Sequence, residues 1–233
     1  MARLIGLDIG TSSAKAVAID EKGTLLGIAS REYPLSGPQP GWAEQNPEDW
    51  WKAAEECLAE LQAKKSDAIG LTGQMHGSVF LDFSDQVIRP ALLWCDQRTS
   101  EECAEIEGAV GAERLRRITG NPALPGFQLP KIIWLKNNEP EAFSRLSSVL
   151  LPKDYIRLKL TGLKVTEVSD ASGIGTLDVR MRDWSEDVIN AVGLSSSLFP
   201  SVVESKEVTG TWKGVPVVGG GGDQAAAAVG TGA

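Results

Sequence analysis

Two aspartates stand at the ends of short apolar runs, each beside small residues. Asp8 lies within Leu4-Ile5-Gly6-Leu7-Asp8-Ile9 and is followed by Gly10-Thr11-Ser12-Ser13 and Lys15. Asp223 follows Val215-Pro216-Val217-Val218 and the glycines Gly219 to Gly222, and precedes Gln224 and an alanine run. A carboxylate inside an apolar run is costly to bury without a partner. With a small-residue turn after it, Asp8 suits a phosphate and its metal. Backbone amides in such a turn cradle anionic oxygens, and the carboxylate holds Mg²⁺ directly or through water. The same stretch reads equally as a tight hairpin with a satisfied aspartate. Asp223, between a strand end and a new helix, could accept a proton from a hydroxyl, where glycines admit a ligand to the backbone. A flexible linker is the alternative for the glycines. His76 sits in Gly73-Gln74-Met75-His76-Gly77. Its imidazole could bond sugar hydroxyls while Met75 packs on the carbon skeleton, or it could be a structural histidine. Trp94 and Asp96 in Trp94-Cys95-Asp96-Gln97-Arg98 suit the two faces of a sugar, or a core tryptophan with a surface Asp–Arg pair.

These residues need elements to hold them. Residues 3–33 read as three strands with tight turns, hence antiparallel at first. Asn46 and Pro47 open a helix whose stripe is Trp50, Ala54, Cys57, Leu58 and Leu61, with Lys64 and Lys65 at its end. Ala68–Thr72 and Val79–Leu81 read as strands, and Val87–Trp94 is another mostly apolar run. From Thr99 to about 165 the pattern is helical, with Pro130 and Pro140 as helix starts and Gly162 as a stop, which predicts a helical insertion beside the sheet. Ser169–Gly173 reads as a polar turn, Trp184–Val192 as a helix, Val215–Val218 as a buried strand and Ala225–Val229 as a helix.

The 233 residues and net charge of -8 fit one large or two small globular domains and argue against nonspecific binding to nucleic acid or an anionic membrane. Cys57, Cys95 and Cys103 lack paired ligand spacing, which points to a reducing compartment without disulfides. A single histidine excludes a zinc site built on several. No signal peptide or membrane-length apolar run is present, so the expected location is cytoplasmic. There is no P-loop, and Gly173-Ile174-Gly175 is too short for a dinucleotide fingerprint.

Together the stretches LIGLDIGTSSAKAVAID, GWAEQNPEDWW, IGLTGQMHG, RPALLWCDQR, ITGNPALPGFQLPKIIWL, VLLPKDYIRLKLTG, VSDASGIGTLDV and VPVVGGGGDQAAAAVGTG resemble the FGGY carbohydrate kinases, and within them the bacterial xylulokinases. The Met75-His76 pair points toward xylulokinase rather than glycerol kinase. The resemblance implies an α/β, RNase H-like fold of the actin/hexokinase/Hsp70-like superfamily, a mixed sheet flanked by helices with the insertion at about 99–165. It implies ATP and Mg²⁺ as cofactors and D-xylulose as the sugar, with another ketose or polyol such as ribulose, or a non-enzymatic sugar-binding or sensor module, as alternatives. By resemblance Asp223 is the general base at the sugar hydroxyl, and Met75 and His76 contact the sugar; Gln224, Trp94 and Asp96 are the further candidate sugar contacts. Thr11, Ser12 and Lys15 stand near the phosphates, and Asp8 near the transferred phosphoryl and its metal. Many relatives carry Asn where this chain has Gln224. Residues 1–233 correspond to a sugar-binding N-terminal domain, with an ATP-binding C-terminal domain expected to be absent and the isolated domain inactive. A homodimer is left open.

Overall fold

The computed structural model describes residues 2–233. Its frame is a mixed sheet. Strands β1 (Arg3–Ile9), β2 (Ser13–Asp20) and β3 (Leu25–Glu32) form an antiparallel meander. After helix α1 (Pro47–Glu60), strand β4 (Ala68–Gly73) returns parallel to β1 on its other side. This connection demands a crossover, and α1 supplies it. The insertion helix α2 (Gln128–Asn138) and helix α3 (Pro152–Thr161) follow. The chain then re-enters the sheet through β5 (Val208–Trp212), β6 (Val215–Val218) and β7 (Gly221–Gly222) before helix α4 (Asp223–Thr231). The sheet order is β5-β6-β4-β1-β2-β3, with β7 also paired to β4.

The pleat explains the packing. In β1 the buried residues are Ile5, Leu7 and Ile9; in β2 they include Ala14, Ala16 and Ala18. The small alanines leave room for α1, whose Trp50, Ala54, Cys57 and Leu58 are fully buried. Each large apolar side chain buried there stabilises the fold by ~2–3 kcal/mol. Asn46 caps α1 by accepting from the Glu48 N–H, and Pro47 occupies its first position. The helix ends at Glu60, and Lys64 and Lys65 fall in a separate 3₁₀ turn, Ala63–Lys65.

A second core gathers Phe80, Leu92, Ile106, Leu115, Ile133 and Val149 with Val188 and Ile189. It holds the insertion helices, but the insertion is not the block 99–165. Helix α3 turns Tyr155, Ile156, Leu158 and Leu160 into the first core, while residues 171–199 join the second. Helical periodicity marks a buried face without saying which core receives it. Three further expectations are corrected. Pro130 is the third residue of α2 rather than its first, where a missing N–H still costs nothing. Ser169–Gly173 is not only a turn: Val168–Ala171 is a short helix capped by the Glu167 carboxylate, which accepts from the Ser169 and Asp170 N–H groups. The helix after Trp184 spans Glu186–Ala191, capped by Ser185, and Trp184 itself pairs with Leu177.

Candidate active site

Three parallel strands end side by side. Asp8 of β1 lies opposite Thr72 of β4, and Thr72 lies opposite Gly221 of β7. One step further, Ile9, Gly73 and Gly222 align. The residues just beyond are therefore delivered to one edge: Gly10–Ser12 from β1, Gln74–His76 from β4, Asp223 from β7. Carboxyl ends of parallel strands are a usual place for a ligand site, because the chain leaves the ladder there with its polar groups uncommitted.

Asp8 and Asp223 feel each other's charge. The Asp8 carboxyl is held above its usual range, first by partial burial and then by the Asp223 carboxylate, while Lys15 opposes the shift. Lys15 is the cross-strand partner of Asp8 on β2. The buried Asp8 Oδ1 has no hydrogen-bond partner. Asp223 is the first residue of α4, where the helix dipole favours a carboxylate. Gln224 is exposed, and its amide reaches Asp223 Oδ1 at 3.4 Å. Gly222 is required for close approach: a Cβ there would stand 2.9 Å from Met75 Cγ and Sδ. Met75 therefore packs directly against the strand end that carries Asp223.

His76 joins them. Its Nδ1 lies 2.8 Å from the Gly173 carbonyl oxygen. A carbonyl only accepts, so Nδ1 carries the proton and the neutral ring keeps Nε2 as acceptor. Burial lowers the imidazole pKa, with the Gly173 carbonyl and Asp223 pulling the other way. Thr11 Oγ1 donates to Gln74 Oε1 at 3.2 Å and accepts from Trp94 Nε1 at 3.0 Å. Trp94 is 49% exposed, so it is no core tryptophan. Ser12 and Lys15 are exposed on the same hairpin.

Asp96 does not join the group. It is fully buried; its Oδ2 accepts from the Ala43 N–H and from Arg98, and its Oδ1 accepts from the Arg98 amide and guanidinium. That side chain fixes the loop behind Trp94 and has no oxygen left for a sugar, which corrects its placement as a substrate contact. Nor is the Asp96–Arg98 pair on the surface: Arg98 is buried and lies 3.5 Å over the Trp42 ring.

Supporting residues went unread in the sequence. Gln45 donates to the Thr11 carbonyl and accepts from Gln74 and Trp50, a buried amide chain under the β1–β2 turn. Beneath the glycine turn, Arg157 donates to the Val218 and Gly219 carbonyls, and Lys153, Asp154, Glu167 and Asp170 form a fully buried ionic cluster around it. Ser169 Oγ bridges this cluster to the turn, donating to Glu167 and accepting from the Gly222 N–H. The available signal was the charge run Lys153, Asp154, Arg157 inside an otherwise apolar helical segment. An apolar cavity of about 520 Å³ flanks the same strand ends, lined by Leu71, Thr72, Gly220, Gly221, Ala225 and Val229.

Comparison with known proteins bears on this arrangement. Over 242 residues the chain is 44% identical to a xylulose kinase of Klebsiella pneumoniae and 43% to one of Escherichia coli (strain K12), in both cases across 98% of this chain and 50% of the relative. It thus spans about half the length of the curated relatives it matches. The crystal structure of a xylulose kinase from Rhodospirillum rubrum superposes with a TM-score of 0.95 at 32% identity, across 99% of this chain and 51% of that one. The fold is the actin/hexokinase-like one, a central mixed sheet flanked by helices. Residues 3–230 match the N-terminal domain of the FGGY family of carbohydrate kinases, and the chain belongs to that family.

Proposed function

We propose that this chain is the sugar-binding part of a kinase that transfers a phosphoryl group from ATP to the 5-hydroxyl of D-xylulose. The observation that carries the reading is the convergence of Asp8 and Asp223 beside Met75 and His76 at one edge of the sheet. In this reading Asp223 accepts the proton of the attacking hydroxyl. His76 Nε2 accepts a hydrogen bond from a second hydroxyl, and Met75 packs on the carbon skeleton beside the Trp94 ring. The Thr11–Ser12 turn and Lys15 face the phosphates, and Gln224 orients Asp223. Phosphoryl transfer asks mainly for positioning, charge stabilisation and a placed base, and these residues supply each.

The residues also fit Mg²⁺. A buried carboxylate oxygen without a partner, next to a second carboxylate, is the hard-oxygen environment such an ion prefers. Among the described residues no group of three or more His, Cys, Asp or Glu side chains is placed to hold a metal. An ion bound by one or two carboxylates would complete its shell with water and phosphate oxygens. Asp8 would hold it, and the ion would neutralise charge on the transferred phosphoryl. Catalysis belongs in this reading to a protein of the relatives' full length, with the adenine surface outside residues 1–233 and little or no turnover by this chain alone.

Calorimetric titration of the chain with D-xylulose, ribulose and glycerol tests the binding half, with D-xylulose expected to bind tightest; no heat from any pentulose overturns it. In the intact enzyme, Asp223→Ala is expected to keep sugar affinity and lose turnover by ~10²–10⁴-fold. Unchanged turnover removes Asp223 as the base.

A further inference from the structure

The Met75–His76–Gly77 turn is held in an unfavourable shape. His76 has φ +67°, in the left-handed region that a residue with a Cβ avoids. Such a conformation persists only where the surroundings impose it. Here they come from outside the sheet. Helix α2 sends two side chains from one face of its first turn, Gln128 and Lys131, both fully buried. Gln128 Nε2 donates to the Gly77 carbonyl at 2.9 Å and to the Leu150 carbonyl at 3.2 Å. Lys131 Nζ donates to the His76 carbonyl at 2.9 Å and to the Gly126 carbonyl.

The second Lys131 bond matters because Phe127 follows Gly126. The Phe127 ring stacks on the His76 imidazole, with centroids 4.5 Å apart and planes 13° from parallel. One ammonium thus ties together the backbone on both sides of that stack. Beside the ring, Gly173 has no side chain for a reason: a Cβ there would fall 2.3 Å from His76 Cε1. The imidazole is stacked on Phe127 and hydrogen-bonded to the Gly173 carbonyl, and the His76 carbonyl is fixed by Lys131.

Keeping a cation in such a place is costly. Burial pushes the Lys131 ammonium down to about 7, with Asp96, Cys95 and Cys103 favouring the charge and Arg98 opposing it. Its bonds go to carbonyl oxygens that no strand or helix ladder serves.

We propose that Lys131 and Gln128 are positioning residues that hold the Met75–His76–Gly77 turn in its left-handed conformation and so set the affinity of the site for its sugar. The inference rests on the reading of Met75 and His76 as sugar contacts. Neither Lys131 nor Gln128 touches the ligand; both act through the backbone of the turn.

His76 is the single histidine of the chain, so a histidine-labelled sample reports on this ring alone. Lys131→Met removes one donor while keeping an unbranched buried side chain. Gln128→Leu removes the other without changing charge. Each variant is checked for a cooperative thermal transition, examined by NMR of the labelled ring, and titrated with D-xylulose. The expected result is a folded protein whose His76 signals shift and broaden and whose sugar Kd rises about tenfold, the equivalent of roughly one hydrogen bond. Folded variants with wild-type ring signals and wild-type Kd overturn the proposal. If Lys131→Met does not fold, Gln128→Leu supplies both readouts. Ile189→Val in the second core serves as a control for general loosening, and an equal effect there also overturns the proposal. A wild-type chain that binds no pentulose defeats the sugar reading, while the ring signals of the variants still decide whether Lys131 and Gln128 set His76.

Discussion

Arg157 lies under the turn that carries Asp223, and Arg157→Met asks how much that turn depends on it. The guanidinium donates to the Val218 carbonyl at 2.9 Å, to the Gly219 carbonyl and to Thr209 Oγ1. Around it are Lys153 and the carboxyl groups of Asp154, Glu167 and Asp170, all with fully buried side chains. Two cations face three carboxyls. Burial pushes the Asp170 carboxyl up to about 7, so below that pH it holds a proton and the cluster balances. Met at 157 leaves one cation, and three acceptors lose their donor. Breaking a buried ionic network from one side costs ~3–5 kcal/mol. In a chain of this length each kcal/mol lowers the Tm by about 2–4 °C, so the Tm falls by roughly 6–20 °C. Thermal unfolding by circular dichroism at pH 6 measures this, and amide hydrogen exchange locates it. The Gly219 and Gly220 amides, bonded to the Glu207 and Ser205 carbonyls, exchange faster in the variant. A Tm change under ~3 °C, with unaltered exchange at Gly219 and Gly220, would refute the claim that the turn is held from below.

Two other perturbations follow from the same charges. Because the folded pKa of Asp170 is raised, its contribution to stability is present below the unfolded value near 3.8 and is lost as pH rises through about 7. Asp170→Asn removes that dependence, and urea titrations between pH 4 and pH 8 should show a flatter stability curve in the variant than in wild type. Asp223→Asn removes the like charge that helps raise Asp8, so the Asp8 carboxyl titrates lower in the variant by carbon NMR. An unchanged Asp8 titration would separate the two carboxylates.

What the sequence shows of this molecule depends on how local the cause is. β1 to β3 and α1 are legible because turn residues, alternation and an Asn46-Pro47 cap act over a few positions. Asp8 and Asp223 stand out for a related reason: each is a charge at the end of an apolar run, an anomaly visible without a partner. Their convergence is not local, since it follows from the parallel alignment of β1, β4 and β7. Lys131 reads as an ordinary helical lysine, because its burial is decided by the Gly126 and His76 carbonyls. Asp96 and Arg98 look like a surface pair for the same reason; only the Trp42 ring and the Ala43 amide reveal them as buried. The short helix Val168–Ala171 escaped because its cap is Glu167, a residue outside the preferred capping set.

The buried polar groups around the site share one physical task. Where β1 and β4 end, and where β6 breaks before β7, the chain must leave the sheet on the way to Thr11, His76 and Asp223, and its carbonyls lose their ladder partners. An unpaired buried carbonyl costs as much as a lost hydrogen bond, so each departure needs a donor brought from elsewhere. Gln45 serves the Thr11 carbonyl, Lys131 and Gln128 serve those of His76 and Gly77, and Arg157 serves Val218 and Gly219. Each donor belongs to a segment outside the three strand ends, three of the four to helices of the second half of the chain. Water could satisfy such carbonyls but would leave the turns free to move. A side chain anchored in a packed helix satisfies them and fixes their position as well. In the proposed reading the insertion helix α2 and helix α3 are therefore part of the site, although neither supplies a residue assigned to the ligand.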